Sequence, residues 1–341
     1  MLSVWAATSP HSNPKDAIPM TEATQPLRHA VLGAGAIGAT LSLMLAARGH
    51  EVTLMTRSGS GPEHPRIRRL SGDASSAGDV ERAIAGAAAL HCCVHPGTYS
   101  AAAWRRETPP VQAAVLAAAG RAGIPVVFTE SLYSMDRGEQ PFTEPDGVPA
   151  LPEAGLSRKG MVRRHLIEER MEARTRVVSM VASDYFGPHA LQNAHAGERM
   201  MLPAIQGGTA RPIGSADLPH SFTYLPDLAA AMIRAAEMPE ASGVLFAPTG
   251  PPVTQRELIA AYCRAAGTEM PRLAPLPSWA MRAGRFVPPL GEFAEMLYQW
   301  ENPYVMDSSR TEGLLGLRPT PLLQAVEETV AWWRERLQDA A

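Results

Sequence analysis

The chain has 341 residues, 45% hydrophobic and 19% charged, with a formal net charge of −3 at pH 7. This is the make-up of a folded globular protein, one large domain or a core domain with a smaller lobe, and near-neutral charge gives no reason to expect nucleic acid. Apolar runs are broken by Arg, Glu or Gly well before the roughly 18 residues of a membrane span, and Cys92, Cys93 and Cys263 form neither a disulfide framework nor a metal-spaced set, so a cytoplasmic protein without a metal is expected.

Residues 1–26, rich in Ser, Pro, Thr and Asn, lack the order of a signal peptide and are read as a loose tail, with Met20 an alternative start. From residue 28 strands and helices alternate. RHAVLGAG (28–35) is a short apolar run ending in glycines, and AIGATLSLMLAARG (36–49) has helical spacing and a Gly stop. HEVTLMTR (50–57) and the weaker IRRLSGD (67–73) follow as strands, then DVERAIAG (79–86) as a helix and AALHCCVHP (88–96) as a strand. PVQAAVLAAAGRAG (110–123) is helical, IPVVFTES (124–131) a buried strand, residues 158–173 a charged amphipathic helix, and RVVSMVASDYFGP (176–188) a further strand. This rhythm predicts a parallel, doubly wound α/β sheet of the Rossmann type over 27–188. Beyond 188 short strands (221–225, 243–249) mix with helices (227–237, 255–267), prolines crowd 271–289, and a helix closes the chain at 320–338. That predicts a smaller substrate lobe over 189–341, partly interleaved with the sheet.

GAGAIG places Gly33, Gly35 and Gly38 between a strand and a helix, the G-x-G-x-x-G pattern in its proper context. Gly33 allows the tight turn, Gly35 lets backbone approach a pyrophosphate, and Gly38 lets helix pack on strand. Ala36 and Ile37 then offer free N–H groups and the positive end of the helix dipole to the phosphates. The second strand ends in Thr56 and Arg57 with no carboxylate nearby. An NAD site puts Asp or Glu there for the ribose hydroxyl, whereas Arg suits a 2′-phosphate, so NADP(H) is expected over NAD(H).

With the glycine loop, Arg57, SGD at 71–73, FTESLY at 128–133 and SDYFGP at 183–188 in one order, the chain resembles the extended short-chain dehydrogenases/reductases, the NAD(P)-dependent epimerase/dehydratase-like proteins. The resemblance runs from about residue 28 to 338. It implies that Asp73 lies near the adenine, that Val94 and His95 line the cofactor, and that Ser131 positions a substrate oxygen. It also implies a homodimer through helices near 110–122 and 158–173.

The family's acid is a Tyr four residues before a Lys that holds the nicotinamide ribose. None of the seven tyrosines has a Lys at that spacing. Of 31 basic residues only Lys15 and Lys159 are lysines, and Lys159 falls where the ribose-binding Lys is expected, with Gly155 in the tyrosine's place. A register shifted by one turn puts Arg163 in the lysine's place and Lys159 in the tyrosine's. A compact ammonium differs from a planar guanidinium, which gives a reason for a Lys here in an Arg-rich chain. Tyr133 is the first surrogate acid: if the strand continues through it, Ser131 and Tyr133 share one face. Tyr185 is the second surrogate.

Three functions fit. The first is an NADP(H)-dependent oxidoreductase acting on a carbonyl or alcohol of a small organic molecule, with Ser131, Tyr133 and Lys159 catalytic. The second is redox-neutral work on the same fold, such as epimerisation, dehydration, a lyase step or cyclisation. The third is a non-catalytic dinucleotide-sensing regulator.

Overall fold

The computed structural model describes residues 26–135, 140–147, 156–192, 194–284 and 290–339. The N-terminal tail up to residue 25 with Met20, and Gly155, lie outside them. The first half alternates as β1 Arg28–Leu32, α1 Ala36–Ala47, β2 Glu51–Thr56, β3 Ile67–Ser71, α2 Ala77–Ile84, β4 Ala89–Cys92, α3 Ala101–Ala122, β5 Val126–Ser131, α4 Arg158–Met171 and β6 Val177–Ala182. β7 (Asp184–Phe186), α5 (Glu198–Gln206), β8 (Thr209–Ala210), β9 (Phe222–Tyr224), α6 (Leu225–Glu237), β10 (Gly243–Phe246), α7 (Gln255–Ala266), β11 (Arg272–Leu273), α8 (Ser278–Ala283) and α9 (Leu290–Ala294) follow.

Seven strands make one parallel sheet in the order β10-β6-β5-β4-β1-β2-β3. The strand order reverses beside β1, so the crevice for a ligand opens where the glycine turn leaves that strand. Both faces are covered, and the strands therefore read as continuous apolar runs. Val31, Leu54, Val127 and Met180 face α1 and α6, while Ala30, Leu32, Val126 and Phe128 face α2 and α3. Period-two alternation produces that split, since Val31 and Leu32, or Val126 and Val127, must point to opposite sides. Among the described residues no helix is long and apolar enough to cross a membrane.

The chain beyond residue 188 contributes to both parts. α6 packs on α1, and β10 adds the edge strand beside β6. A separate core of Met200, Met201, Leu258, Tyr262, Val326 and Trp333 joins α5, α7 and the last helix, Leu322–Asp339.

Two boundaries differ from the expectation, and one condition attached to it is not met. α3 begins at Ala101, capped by the Ser100 hydroxyl on the Ala103 amide, and runs through Pro109 and Pro110. Those prolines look like a helix start because Pro suits a first turn, yet the helix tolerates them in its interior. The run 176–188 breaks at Ser183: β6 stays in the large sheet while β7 pairs with β9. β5 ends at Ser131, and Leu132–Ser134 form one turn of 3-10 helix. The alternation that was to set Tyr133 beside Ser131 therefore does not hold.

Three histidines sit under the sheet's central strands. His29, His50 and His91 are buried; His29 and His91 ring nitrogens lie 3.1 Å apart, and the His29 and His50 rings meet edge to face at 5.1 Å. Burial, reinforced by His50, lowers His29 to about 4, and burial lowers His50 and His91 as well.

Candidate functional site

Gly33 has φ +92°, in the region that favours glycine, and a Cβ there would stand 2.8 Å from the Cys93 carbonyl oxygen. A Cβ on Gly38 would stand 1.9 Å from the Gly33 carbonyl oxygen, so helix and turn touch backbone to backbone. Gly35 is the opposite case. It caps α1 with no side-chain hydrogen bond, is exposed, and a Cβ on it would meet nothing within 4 Å. The first turn of α1, with Ala36 and Ile37, thus presents its amides past an open position, which fits a dinucleotide phosphate.

Arg57 is exposed at the end of β2, and its Nη2 lies 3.9 Å from where a Gly97 Cβ would stand, so the guanidinium reaches across from β2 to the loop after β4. Asp73 is occupied by its own turn. Its Oδ1 accepts from the Ser75 amide at 2.9 Å and the Ser75 hydroxyl at 2.8 Å, and those bonds hold its carboxyl below the usual range. Val94 lies directly against the glycine turn, its amide nitrogen 3.2 Å from a Gly33 Cβ position. His95 turns the other way. Its ring meets Trp104 edge-on at 4.8 Å, and its Nδ1 lies 2.9 Å from the Pro96 carbonyl oxygen.

At the sheet's C-terminal edge the Ser131 hydroxyl is buried and has no hydrogen-bond partner among the described residues. The Tyr133 hydroxyl lies 3.2 Å from that of Tyr99, and its ring stacks on Trp104. Burial pushes the Tyr133 hydroxyl well above its ordinary value, and Tyr99 and Asp184 push the same way. An acid at neutral pH needs the opposite shift.

Lys159 is 0% exposed. Its ammonium contacts Glu292 Oε2 at 2.5 Å, Glu295 Oε1 at 2.7 Å and the Glu292 carbonyl oxygen at 2.9 Å, and sits over the Tyr99 ring at 4.6 Å. An ammonium has three N–H donors, and these acceptors take all three. A ribose hydroxyl can be held by Lys159 only when one of those acceptors lets go. Glu292 also accepts from the Ala101 amide at 2.9 Å, which ties the start of α3 to α9. Burial pushes Glu292 up, but Lys159, Ala101 and Arg158 together hold it below the usual range. One turn on, Arg163 lies over Trp104 at 4.6 Å and 3.4 Å from Glu130. Glu130 also pairs with Arg170 at 2.9 Å, and Arg170 bonds Gln112 and Ser179. These buried charges fix α4 on the sheet edge. Gly160 makes the close approach possible: a Cβ there would stand 2.3 Å from the Tyr133 carbonyl oxygen.

Asp184, at the head of β7, lies 3.0 Å from His220 Nε2. Burial pushes the Asp184 carboxyl up, yet His220, His195 and Trp300 outweigh it and hold it below the usual range. Tyr185, the second surrogate acid, belongs to the sheet-side core and is raised by burial. Sequence reading gave Asp184, His220, Glu292 and Glu295 no catalytic or binding role. Only the fold brings these distant segments together.

No curated protein matches the chain. Solved structures match it over nearly its whole length. An enzyme named WbmH from Bordetella bronchiseptica, in complex with NAD+, is 18% identical, covering 91% of this chain and 98% of that one with a TM-score of 0.68. A UDP-N-acetylglucosamine 4-epimerase from Bacillus cereus is 16% identical (90% and 96%, TM-score 0.70). DesIV, a dTDP-glucose 4,6-dehydratase from Streptomyces venezuelae, is 18% identical (92% and 98%, TM-score 0.71). At such identities the likeness establishes the fold. The model of the NAD dependent epimerase/dehydratase family matches residues 30–245, from the first strand through the edge strand β10. The chain belongs to that family of enzymes.

Proposed function

We propose that the protein is an NADP(H)-dependent oxidoreductase acting on a carbonyl or alcohol group of a small organic molecule. The observation that carries this reading is the exposed Gly35 position at the uncapped N-terminus of α1, flanked by two glycines whose packing tolerates no side chain. Gly33, Gly35, Ala36, Ile37 and Gly38 would hold the pyrophosphate, and Val94 the face of the dinucleotide against the loop after β4. WbmH holds NAD+, which supports a nicotinamide dinucleotide here. The choice of NADP(H) rests on Arg57, a free-reaching guanidinium where a carboxylate would select NAD(H). His95 and Asp73 stand at the margins of this cleft.

When bound, the dinucleotide supplies a hydride acceptor or donor. The chain supplies orientation. Ser131 offers an unpartnered buried hydroxyl to the substrate oxygen, Tyr133 closes the wall beside it, and Lys159 fixes the ribose once Glu292 or Glu295 releases an N–H. A homodimer through α3 and α4 completes the proposal, with light scattering as its check.

Redox-neutral work is the second reading. It is favoured by the missing Tyr, by an ammonium whose donors are all engaged, and by the epimerase and dehydratase among the structural relatives. The test mixes the protein with NADPH or NADP+ and a panel of aldehydes, ketones, quinones and sugar nucleotides while following reduced-nicotinamide absorbance. Turnover that falls on Lys159→Ala and Ser131→Ala supports oxidoreduction. Tight dinucleotide binding with product formed and no net redox change moves the reading to the second.

A further inference from the structure

A reaction at a carbonyl or hydroxyl needs a group that takes and returns a proton. The family's Tyr is missing, and Tyr133 is pushed away from that role by its burial. The only buried carboxylate–imidazole contact among the described residues lies at the same edge of the sheet. Ser131 pairs in register with Ala182 on β6, and Asp184 is two residues further along, about 7 Å of extended chain. The Asp184 charge is near enough to oppose ionisation of Tyr99, Tyr133 and Tyr304, so one carboxylate addresses the whole tyrosine-lined wall.

The pair is held from every side. His220 is 2% exposed and stacks between Phe222 at 4.6 Å and Tyr304 at 5.2 Å. His195, whose Nε2 lies 2.9 Å from Gln255 Oε1, packs against Trp300 at 4.8 Å. Around the pair the Trp300 indole turns to the Asp184 carboxylate and Tyr298 to the Tyr304 hydroxyl, while the His195 Nδ1 is buried without a hydrogen-bond partner among the described residues. A buried imidazole nitrogen left unpartnered beside a carboxylate–imidazole contact is a place for a polar ligand. The charged and titratable groups facing the pair are His195, Tyr99, Tyr133, Tyr185 and Tyr304, with Tyr298 behind Tyr304 and Arg199 beside His195.

We propose that Asp184 and His220 are the proton-carrying pair of the active site: as a substrate O–H bond breaks, its proton passes to the pair, and it returns when the bond re-forms. The proposal rests on the reading of this cleft as the site of carbonyl and alcohol chemistry. The proton belongs to the pair as a unit, with Asp184 stabilising the charged imidazole.

Histidine side-chain nitrogen spectra of the labelled wild-type protein across pH test it without any substrate. The expected result is a set of His220 ring signals that change with pH and change differently in Asp184→Asn, where the neighbouring charge is gone. A His220 signal that stays fixed with pH, or that follows the same curve in Asp184→Asn, overturns the proposal. The second arm uses His220→Gln with NADPH titration and the aldehyde and ketone panel. Turnover down about a hundredfold with dinucleotide affinity unchanged is expected; unchanged turnover overturns the pair's role. Loss of NADPH binding by the wild type itself sinks the parent reading, and the spectra still decide this one.

Discussion

The two ends of the cleft are built on different principles. At the proposed phosphate end the groups that would face a ligand are backbone amides, and the sequence needs only glycines at the right spacing. At the far end they are side chains from segments that lie far apart in the sequence: Ser131, Lys159, Asp184, His220, Glu292 and Trp300. The first end is open, with Gly35 facing empty space. The second is closed by internal contacts, Lys159 paired with two glutamates and Asp184 against His220. Substitutions should therefore act on packing at one end and on charge balance at the other.

The largest effect is expected from breaking the charges that seat α4. Arg170→Met leaves the buried Glu130 with only the more distant Arg163 and should lower stability by about 3–4 kcal/mol in chemical denaturation, because the closer partner of a buried charge is lost. A loss under about 1 kcal/mol there would mean that water reaches Glu130. Next, Gly38→Ala forces a methyl into the Gly33 carbonyl and should lower stability by about 3 kcal/mol. Gly35→Ala is its contrast: φ −66° suits alanine and the space is empty, so folding should hold while NADPH binding weakens. Equal stability losses for the two variants would erase the distinction between a packing glycine and a ligand-facing one.

Acid should loosen the sheet through the buried histidines near the start of its central strands. His29 is lowered to about 4 against 6.5 in the unfolded chain, so its contribution is fully present above pH 6.5 and is lost as pH falls towards 4. The expected loss is about 2–3 kcal/mol across that window, in unfolding free energy measured against pH. A flat profile between those values contradicts the burial of the cluster. The smallest effect is one of specificity. Arg57→Ala should weaken NADP(H) about ten- to a hundredfold and leave NAD(H) unchanged, as one lost charge-assisted contact predicts. A parallel loss for both cofactors would place Arg57 away from the 2′-position.

The same division explains what could be read from the residues alone. The strand–helix alternation, the sheet and the glycine turn follow from local patterns, and each of those elements is present. The early start of α3 escaped because Pro109 and Pro110 mimic a beginning. Tyr133 lost its expected neighbourly relation to Ser131 because a single 3-10 turn follows β5, which no periodicity announces. Lys159 stood out as one of two lysines in the chain, but its partners lie 133 and 136 residues away, and nothing near it in sequence names them. His220 gave no signal at all, being one histidine between a proline and a serine. Its meaning comes from Asp184, which the crossing of β7 beside β9 delivers.

The most direct measurement is calorimetric titration of NADPH into the wild-type protein and into Gly35→Asp, with unfolding curves for both. The account predicts saturable, one-to-one binding by the wild type and its abolition in Gly35→Asp, where a carboxylate faces the phosphate position, with stability unchanged. A wild-type protein that takes up no dinucleotide, or a Gly35→Asp variant that binds it equally well, contradicts the assignment of the cleft.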